Sequence, residues 1–236
     1  MRAVLLAGGA GTRLRPFTAT LPKPLVPVGD KPILELVLGQ LRRAGCTRAT
    51  LAVSRASAPL TRAVFGDGAA FGVAIDYAIE ATPLGTMGPL ATLDDLPPHV
   101  LVMNGDVLTD LDLRAFFARH VAGGADVTVA ASRRRVAVDF GVMRCDAAGR
   151  LVGFEEKPVH EMLVSMGVYG LRREVVARLV RGAPYGFDQL MVDGIARGDR
   201  IDVVEHGGFW LDIGRPEDYE RANEVYPALK DRLDPA

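Results

Sequence analysis

The first half of the chain alternates two kinds of apolar pattern, and few folds accept that alternation. Residues 3–7 (Ala-Val-Leu-Leu-Ala), 50–53 (Thr-Leu-Ala-Val) and 100–103 (Val-Leu-Val-Met) are short, nearly continuous apolar runs, as strands buried on both faces require. Residues 73–78 make a further strand after a glycine-rich turn at 66–72. Helical stretches lie between these runs. In the first, Ile33, Leu34, Val37, Leu38 and Leu41 recur at helical spacing, and Gly45 follows the last turn as its C-cap. Such alternation predicts a parallel, doubly wound sheet with ligands at the carboxyl ends of its strands.

The second half changes character. Residues 142–145 and 151–154, joined by an Ala147-Ala148-Gly149 turn, read as a hairpin. Residues 164–171 read as a strand, 174–180 as a helix, and 201–204 and 209–212 as two more strands. Residues 215–226 read as a closing helix. The whole is an α/β chain: a Rossmann-like, doubly wound mixed sheet in a single domain with a substrate-binding flap. The change of character divides the chain into residues 1–138 and residues 139–236. No repeat, linker or low-complexity tract interrupts it.

Composition removes several classes of function. A net charge of −1 argues against nucleic acid or a membrane surface held by bulk electrostatics, though one local cluster suffices for a small anion. Two cysteines, Cys46 and Cys145, make neither a disulfide framework nor a four-thiolate metal site. No apolar run reaches the ~18 residues of a membrane span, and residues 1–7 are too short for a signal peptide, so a cytoplasmic enzyme is expected. His99, His120, His160 and His206 lack ligand spacing and read as incidental. Arg133-Arg134-Arg135 reads as a solvated turn or as a mobile basic loop near phosphates.

The loop after the first strand is Leu6-Ala7-Gly8-Gly9-Ala10-Gly11-Thr12-Arg13-Leu14. Gly9 and Gly11 begin a dinucleotide fingerprint, but Leu14 stands where its third glycine belongs, and no Walker loop exists in the chain. What remains is a strand end whose bare N–H groups approach a phosphate closely, with Arg13 beside it; a plain tight turn is the alternative. Lys23 follows, with Pro22 and Pro24 restricting its backbone. Only four of the 28 basic residues are lysines (Lys23, Lys31, Lys157 and Lys230), so a retained lysine suggests a need for a compact ammonium.

A strand, then G-G-x-G-T-R-L, then P-K-P-L-x-P-V about ten residues on resembles the sugar-1-phosphate nucleotidylyltransferases, most closely their compact mannose- or heptose-1-phosphate guanylyltransferase branch. The resemblance spans nearly the whole chain. It implies nucleotide contacts from Leu6, Ala7, Gly8, Gly9, Gly11, Thr12, Arg13, Lys23, Glu80, Gly85 and Asn104. It implies sugar-phosphate contacts from Gly141, Glu156, Lys157 and Gly167, and so a nucleotide-binding half over residues 1–138 and a sugar-phosphate-binding half over residues 139–236. Asp106, in Asn104-Gly105-Asp106, and Asp212, in Trp210-Leu211-Asp212, would hold Mg²⁺, as hard carboxylate ligands should.

The implied reaction transfers a nucleoside monophosphate from a nucleoside triphosphate, GTP first and dTTP or UTP next, to a sugar-1-phosphate. The acceptor phosphate is mostly dianionic at neutral pH, its second pKa being near ~6, so no protein base or nucleophile is needed. Arg13, Lys23 and Asp106 are the expected catalytic residues: Arg13 on the leaving pyrophosphate, Lys23 on the α-phosphate, and Lys157 on the acceptor. Ser165-Met166 stands before Gly167 where many relatives carry Asn or Thr. The resemblance is also compatible with a homodimer. An inactive nucleotide-sugar sensor on the same fold and a dinucleotide-dependent oxidoreductase are the competing readings; the joint presence of Arg13, Lys23, Asp106, Lys157 and Asp212 disfavours the first, and Leu14 with the Pro-Lys-Pro segment the second.

Overall fold

The computed structural model describes residues 1–233. The chain order is β1 (Arg2–Leu6), three 3-10 turns, β2 (Pro27–Val28), β3 (Lys31–Pro32), α1 (Ile33–Arg43), β4 (Arg48–Ser54), α2 (Ala58–Phe65) and β5 (Ala74–Glu80). Then come β6 (His99–Asn104), β7 (Val107–Thr109), α3 (Leu113–Gly123), β8 (Val127–Ala137), β9 (Val142–Cys145), β10 (Leu151–Glu155) and β11 (Val159–Arg172). The chain closes with α4 (Arg173–Val176), α5 (Phe187–Arg197), β12 (Ile201–His206), β13 (Trp210–Asp212) and α6 (Pro216–Leu233).

Seven strands form one sheet in the order β12-β8-β11-β6-β1-β4-β5. Neighbours run parallel except around β11, which is antiparallel to both β6 and β8, so the sheet is mixed. β1 lies at its middle. Ala3, Val4 and Leu5 are wholly buried, and alternate side chains enter opposite layers: Ala3 and Leu5 pack with Leu34, Leu38, Leu101 and Met103, while Val4 packs with Leu90, Val100 and Val102. From β1 the chain winds outward through β4 to β5, then returns to the other side of β1 as β6. Such a reversal opens a crevice at the carboxyl ends of β1 and β6, the place where open α/β sheets bind ligands.

α1 ends as the sequence predicts. Gly45 is left-handed (φ 82°), its N–H donates to Arg42 O at 2.9 Å, and the Cys46 N–H donates to Leu41 O at 2.9 Å. The hairpin also stands: β9 pairs antiparallel with β10, and Asp146 Oδ1 accepts the Ala148 and Arg150 N–H groups at 2.9 Å.

Four expectations are corrected. Arg133, Arg134 and Arg135 are not a turn but part of β8, because β11 begins at Val159 and pairs with β8 from there. That ladder is long-range, and strand alternation sends consecutive arginines to opposite faces, so their charges do not break it. The β11 strand is therefore longer than residues 164–171, with an irregularity in register between Ser165 and Tyr169. The helix expected at 174–180 ends at Val176, followed by turns closed by Leu179 N–H to Val176 O and Ala183 N–H to Val180 O. The closing helix runs on to Leu233, and α5 was not anticipated. Among the described residues no helix is long and apolar enough to cross a membrane.

Candidate active site

Register brings the first two motifs together. Leu6 pairs with Asn104, and the Gly105 N–H donates to Leu6 O at 2.9 Å, so the glycine loop and the Asn104-Gly105-Asp106 turn leave the sheet side by side. The loop then folds on Gly11, which is left-handed (φ 62°). A Cβ there would meet Thr18 Cγ2 at 2.9 Å and Lys23 Cβ at 3.4 Å, so this position takes glycine for both conformation and space. The Leu14 N–H donates to Gly11 O at 3.0 Å, and fully buried Leu14 anchors the turn that projects Arg13.

Lys23 opens a tight turn whose Pro24 and Leu25 are buried, and its Nζ bonds Asp106 Oδ2. The other carboxylate oxygen, Asp106 Oδ1, is buried without a partner among the described residues, as is Asn104 Oδ1. Asp212 arrives from β13, which pairs antiparallel with β7 so that Asp212 faces Val107, and the Ile213 N–H donates to Asp106 O at 3.1 Å. Two aspartates far apart in sequence thus become neighbours through a three-residue ladder. Burial raises the Asp212 carboxyl to about 6, helped by the charge of Asp106 and opposed by Lys23 and Arg13. Arg13 reaches the same corner: a Cβ on Gly214 would lie 3.6 Å from Arg13 Nη2 and 3.7 Å from Asp212 Oδ2. A cleft of about 380 Å³ opens beside Arg13 and Arg215.

Two carboxylates, one with an unpartnered buried oxygen and the other pushed toward its neutral form, suit a divalent cation that takes its remaining ligands from phosphates. The described residues hold no group of three or more His, Cys, Asp or Glu side chains with metal-ligand placement.

The other wall carries Glu80 and Gly8. A Cβ on Gly8 would overlap Glu80 Oε1, while Glu80 Oε2 accepts the Leu84 N–H at 3.0 Å. Burial raises the Glu80 carboxyl above its ordinary value, with the Leu84 bond opposing. Gly85 is left-handed (φ 72°), and a Cβ there would lie 2.8 Å from Tyr185 O. Tyr185 O also accepts the Met87 and Gly88 N–H groups at 2.9 and 3.1 Å. Tyr185 therefore fixes this segment, and no local pattern marked it.

Of the residues expected to contact the sugar phosphate, Gly167 (φ 74°) backs onto Asn104, whose Nδ2 would lie 2.6 Å from a Cβ placed there. Gly141 and Glu156 also meet: a Cβ on Gly141 would lie 3.1 Å from Glu156 Oε2. Lys157 sits in the exposed turn before β11 with a left-handed backbone (φ 45°), which costs a non-glycine residue about 1–3 kcal/mol. No hydrogen bond or ion pair joins it to the Asp106–Asp212 pair among the described residues. Tyr169, missed in the sequence, lies buried close to both aspartates. Burial pushes its phenol up to about 12, with the Ser165 hydrogen bond opposing. Asp218, also missed, accepts the Arg215 N–H at 3.0 Å at the start of α6, where an acidic residue in a first helical turn was a usable signal.

Three of the four histidines, His99, His120 and His206, have side-chain partners away from the aspartate pair, and His160 is exposed. His120 is fully buried between Thr128 Oγ1 at 2.8 Å and His99 Nδ1 at 3.1 Å, and burial takes its pKa down to about 4. His206 Nε2 meets Asp110 Oδ1 at 2.8 Å.

Comparison with known proteins bears on the family and the fold. The model of the nucleotidyl transferase family matches residues 2–228. A mannose-1-phosphate guanylyltransferase of Mycobacterium tuberculosis is 35% identical over 229 residues, covering 94% of this chain and 63% of that protein. The chain spans about three-fifths of the length of the curated relatives it matches. Among solved structures, a glucose-1-phosphate thymidylyltransferase candidate from Bacillus anthracis superposes with a TM-score of 0.77 over 95% of both chains, and at 22% identity it speaks for the fold alone. HddC of Yersinia pseudotuberculosis, solved complexed with GMP-PN, gives a TM-score of 0.71 at 25% identity, covering 95% of this chain and 99% of its own. The chain belongs to the nucleotidyl transferase family.

Proposed function

We propose that the chain transfers a nucleoside monophosphate, from GTP by preference, to a mannose- or heptose-type sugar-1-phosphate and releases pyrophosphate. The observation that carries this reading is the convergence of Arg13, Lys23, Asp106 and Asp212 at the carboxyl ends of β1 and β6, with Asp106 Oδ1 buried and unpartnered. In the reaction a phosphate oxygen of the acceptor attacks the α-phosphorus of the triphosphate. One P–O bond forms, the bond to the bridging oxygen of the β-phosphate breaks, and pyrophosphate leaves with that electron pair. The acceptor is mostly a dianion already, so no side chain has to remove a proton.

The obstacle is joining polyanions, and the residues answer it by positioning and charge. Lys23 exchanges its carboxylate partner Asp106 for a phosphate oxygen, and the charge built at the α-phosphorus strengthens that contact. Arg13 forks onto the departing pyrophosphate. Asp106 and Asp212 would hold Mg²⁺, which when bound neutralises phosphate charge. Glu80, fixed by Leu84, and the segment clamped on Tyr185 face the base across Gly8. The names of the relatives and the guanine nucleotide in HddC support GTP as donor.

Pyrophosphate release with a panel of triphosphates and sugar-1-phosphates tests the reading. Turnover is expected with GTP and a mannose- or heptose-type 1-phosphate, and silence across the panel overturns the proposal. Equimolar competition decides the base: a kcat/KM for dTTP or UTP about tenfold above that for GTP removes the guanylyl assignment and leaves the transfer mechanism in place.

A further inference from the structure

Three consecutive arginines occupy the projecting end of β8, and the strand sorts them. Arg133 and Arg135 share one face and are paired there: Arg133 holds Glu205 through two bonds of 2.8 and 2.9 Å, and Arg135 meets Glu161 at 3.2 Å. Arg134 points to the other face. Among the described residues no carboxylate pairs with it, and its guanidinium lies 5.3 Å from the centroid of the Trp210 ring. Trp210 is itself fixed, because its Nε1–H donates to Met166 O at 2.9 Å beside Gly167. On β13, Trp210 and Asp212 are two residues apart and so face the same way, about 7 Å from one another along the strand.

A guanidinium stacked on an aromatic face keeps its N–H edges free, and those edges match a phosphate in a fork. The nucleotide side of the crevice already has Arg13 and Lys23. The acceptor side has Lys157 in an exposed turn, joined to neither aspartate. We propose that Arg134 is a further substrate-binding residue, which receives the phosphate of the sugar-1-phosphate and presents it beside Asp212; this rests on the transferase reading above.

The test uses the full chain and two readouts. Arg134→Ala is expected to raise KM for the sugar-1-phosphate at least about tenfold and to leave KM for GTP within about twofold, with Arg134→Lys in between because it restores charge without the fork. Arg133→Ala, which removes a paired surface arginine from the same strand, should stay within about twofold of wild type on both substrates. Trp210 is the sole tryptophan, so its emission reports on the arginine above it. With a non-hydrolysable GTP analogue saturating, titrating the sugar-1-phosphate should change wild-type emission and leave Arg134→Ala unchanged. An active enzyme whose Arg134→Ala variant keeps its acceptor KM, or loses both KM values equally, refutes the assignment; so does a wild-type emission that does not respond. If no sugar-1-phosphate supports turnover with any triphosphate, the transferase reading falls first and Arg134 with it.

Discussion

Replacing Asp212 by Asn should stabilise the ligand-free protein while destroying its activity, and the pH dependence of the gain identifies the cause. Burial and the Asp106 charge raise the Asp212 carboxyl from 3.8 to about 6. The folded protein therefore holds a proton that the unfolded chain releases, so stability is full below 3.8 and is lost as pH rises through about 6. At about 1.4 kcal/mol per pH unit the ceiling is about 3 kcal/mol. The carboxylate retains contact with solvent, which screens it, so about 1–2 kcal/mol is the working figure. Asn carries no such penalty. For a chain of this size that corresponds to about 4 °C in Tm. Thermal unfolding of both proteins in EDTA from pH 4 to 8 checks it: the two curves should coincide near pH 4, separate between pH 4 and 6, and run parallel above. A Tm difference that is flat with pH, or a less stable Asn variant at pH 7.5, refutes the reasoning. Adding Mg²⁺ and GTP should raise the wild-type Tm and leave that of Asp212→Asn nearly unmoved.

Three further outcomes follow from the same geometry. Asp106→Ala should remove most turnover, and EDTA should silence the wild type; near-normal rates in either case would sink the carboxylate assignment, and pyrophosphate release reads both. Lys23→Ala should lower kcat strongly, since its contact strengthens as charge builds, whereas Lys157→Ala should mainly raise KM for the sugar phosphate; steady-state kinetics with each substrate varied would expose an exchange of roles. Gly8→Ala should push Glu80 away and break its bond to the Leu84 N–H, a charged hydrogen bond worth about 1.5–3 kcal/mol, so KM for GTP should rise by about tenfold or more with the acceptor KM unchanged. An unaltered KM for GTP would mean that Glu80 does not shape the base pocket.

What the sequence disclosed depended on how local each cause was. β1, β4 and β6 were legible because a strand buried on both faces must be apolar throughout, and α1 because a single buried stripe sets its spacing and Gly45 its end. The Pro-Lys-Pro turn was legible because proline acts on its own neighbours. β8 was not, since three arginines carry no strand signal until β11 supplies the facing ladder. The Asp106–Asp212 pair is the sharper case. β7 and β13 are three residues each, too short to show any period, and resemblance alone joined the two aspartates before the ladder did so physically. Tyr185 escaped because it works through its carbonyl oxygen, which every residue has.

The distribution of unsatisfied groups ties the fold to the chemistry. Among the described residues four buried side-chain polar atoms lack a hydrogen-bond partner: Arg2 Nε, Gln40 Oε1, Asn104 Oδ1 and Asp106 Oδ1. Two of the four lie two residues apart at the end of β6, where Asp212 also carries its raised carboxyl. Each orphaned acceptor costs about 1–3 kcal/mol, so this turn is less stable than an apolar one would be. Stability gives no reason to keep acceptor oxygens at the end of a central strand with a second carboxylate alongside; a cationic or hydrogen-bonding ligand does. Lys23 compensates one oxygen of Asp106 and leaves the other without a protein partner among the described residues. The sheet makes that compromise affordable, since Val100, Leu101, Val102 and Met103 of the same strand are wholly buried and anchor its end against the repulsion.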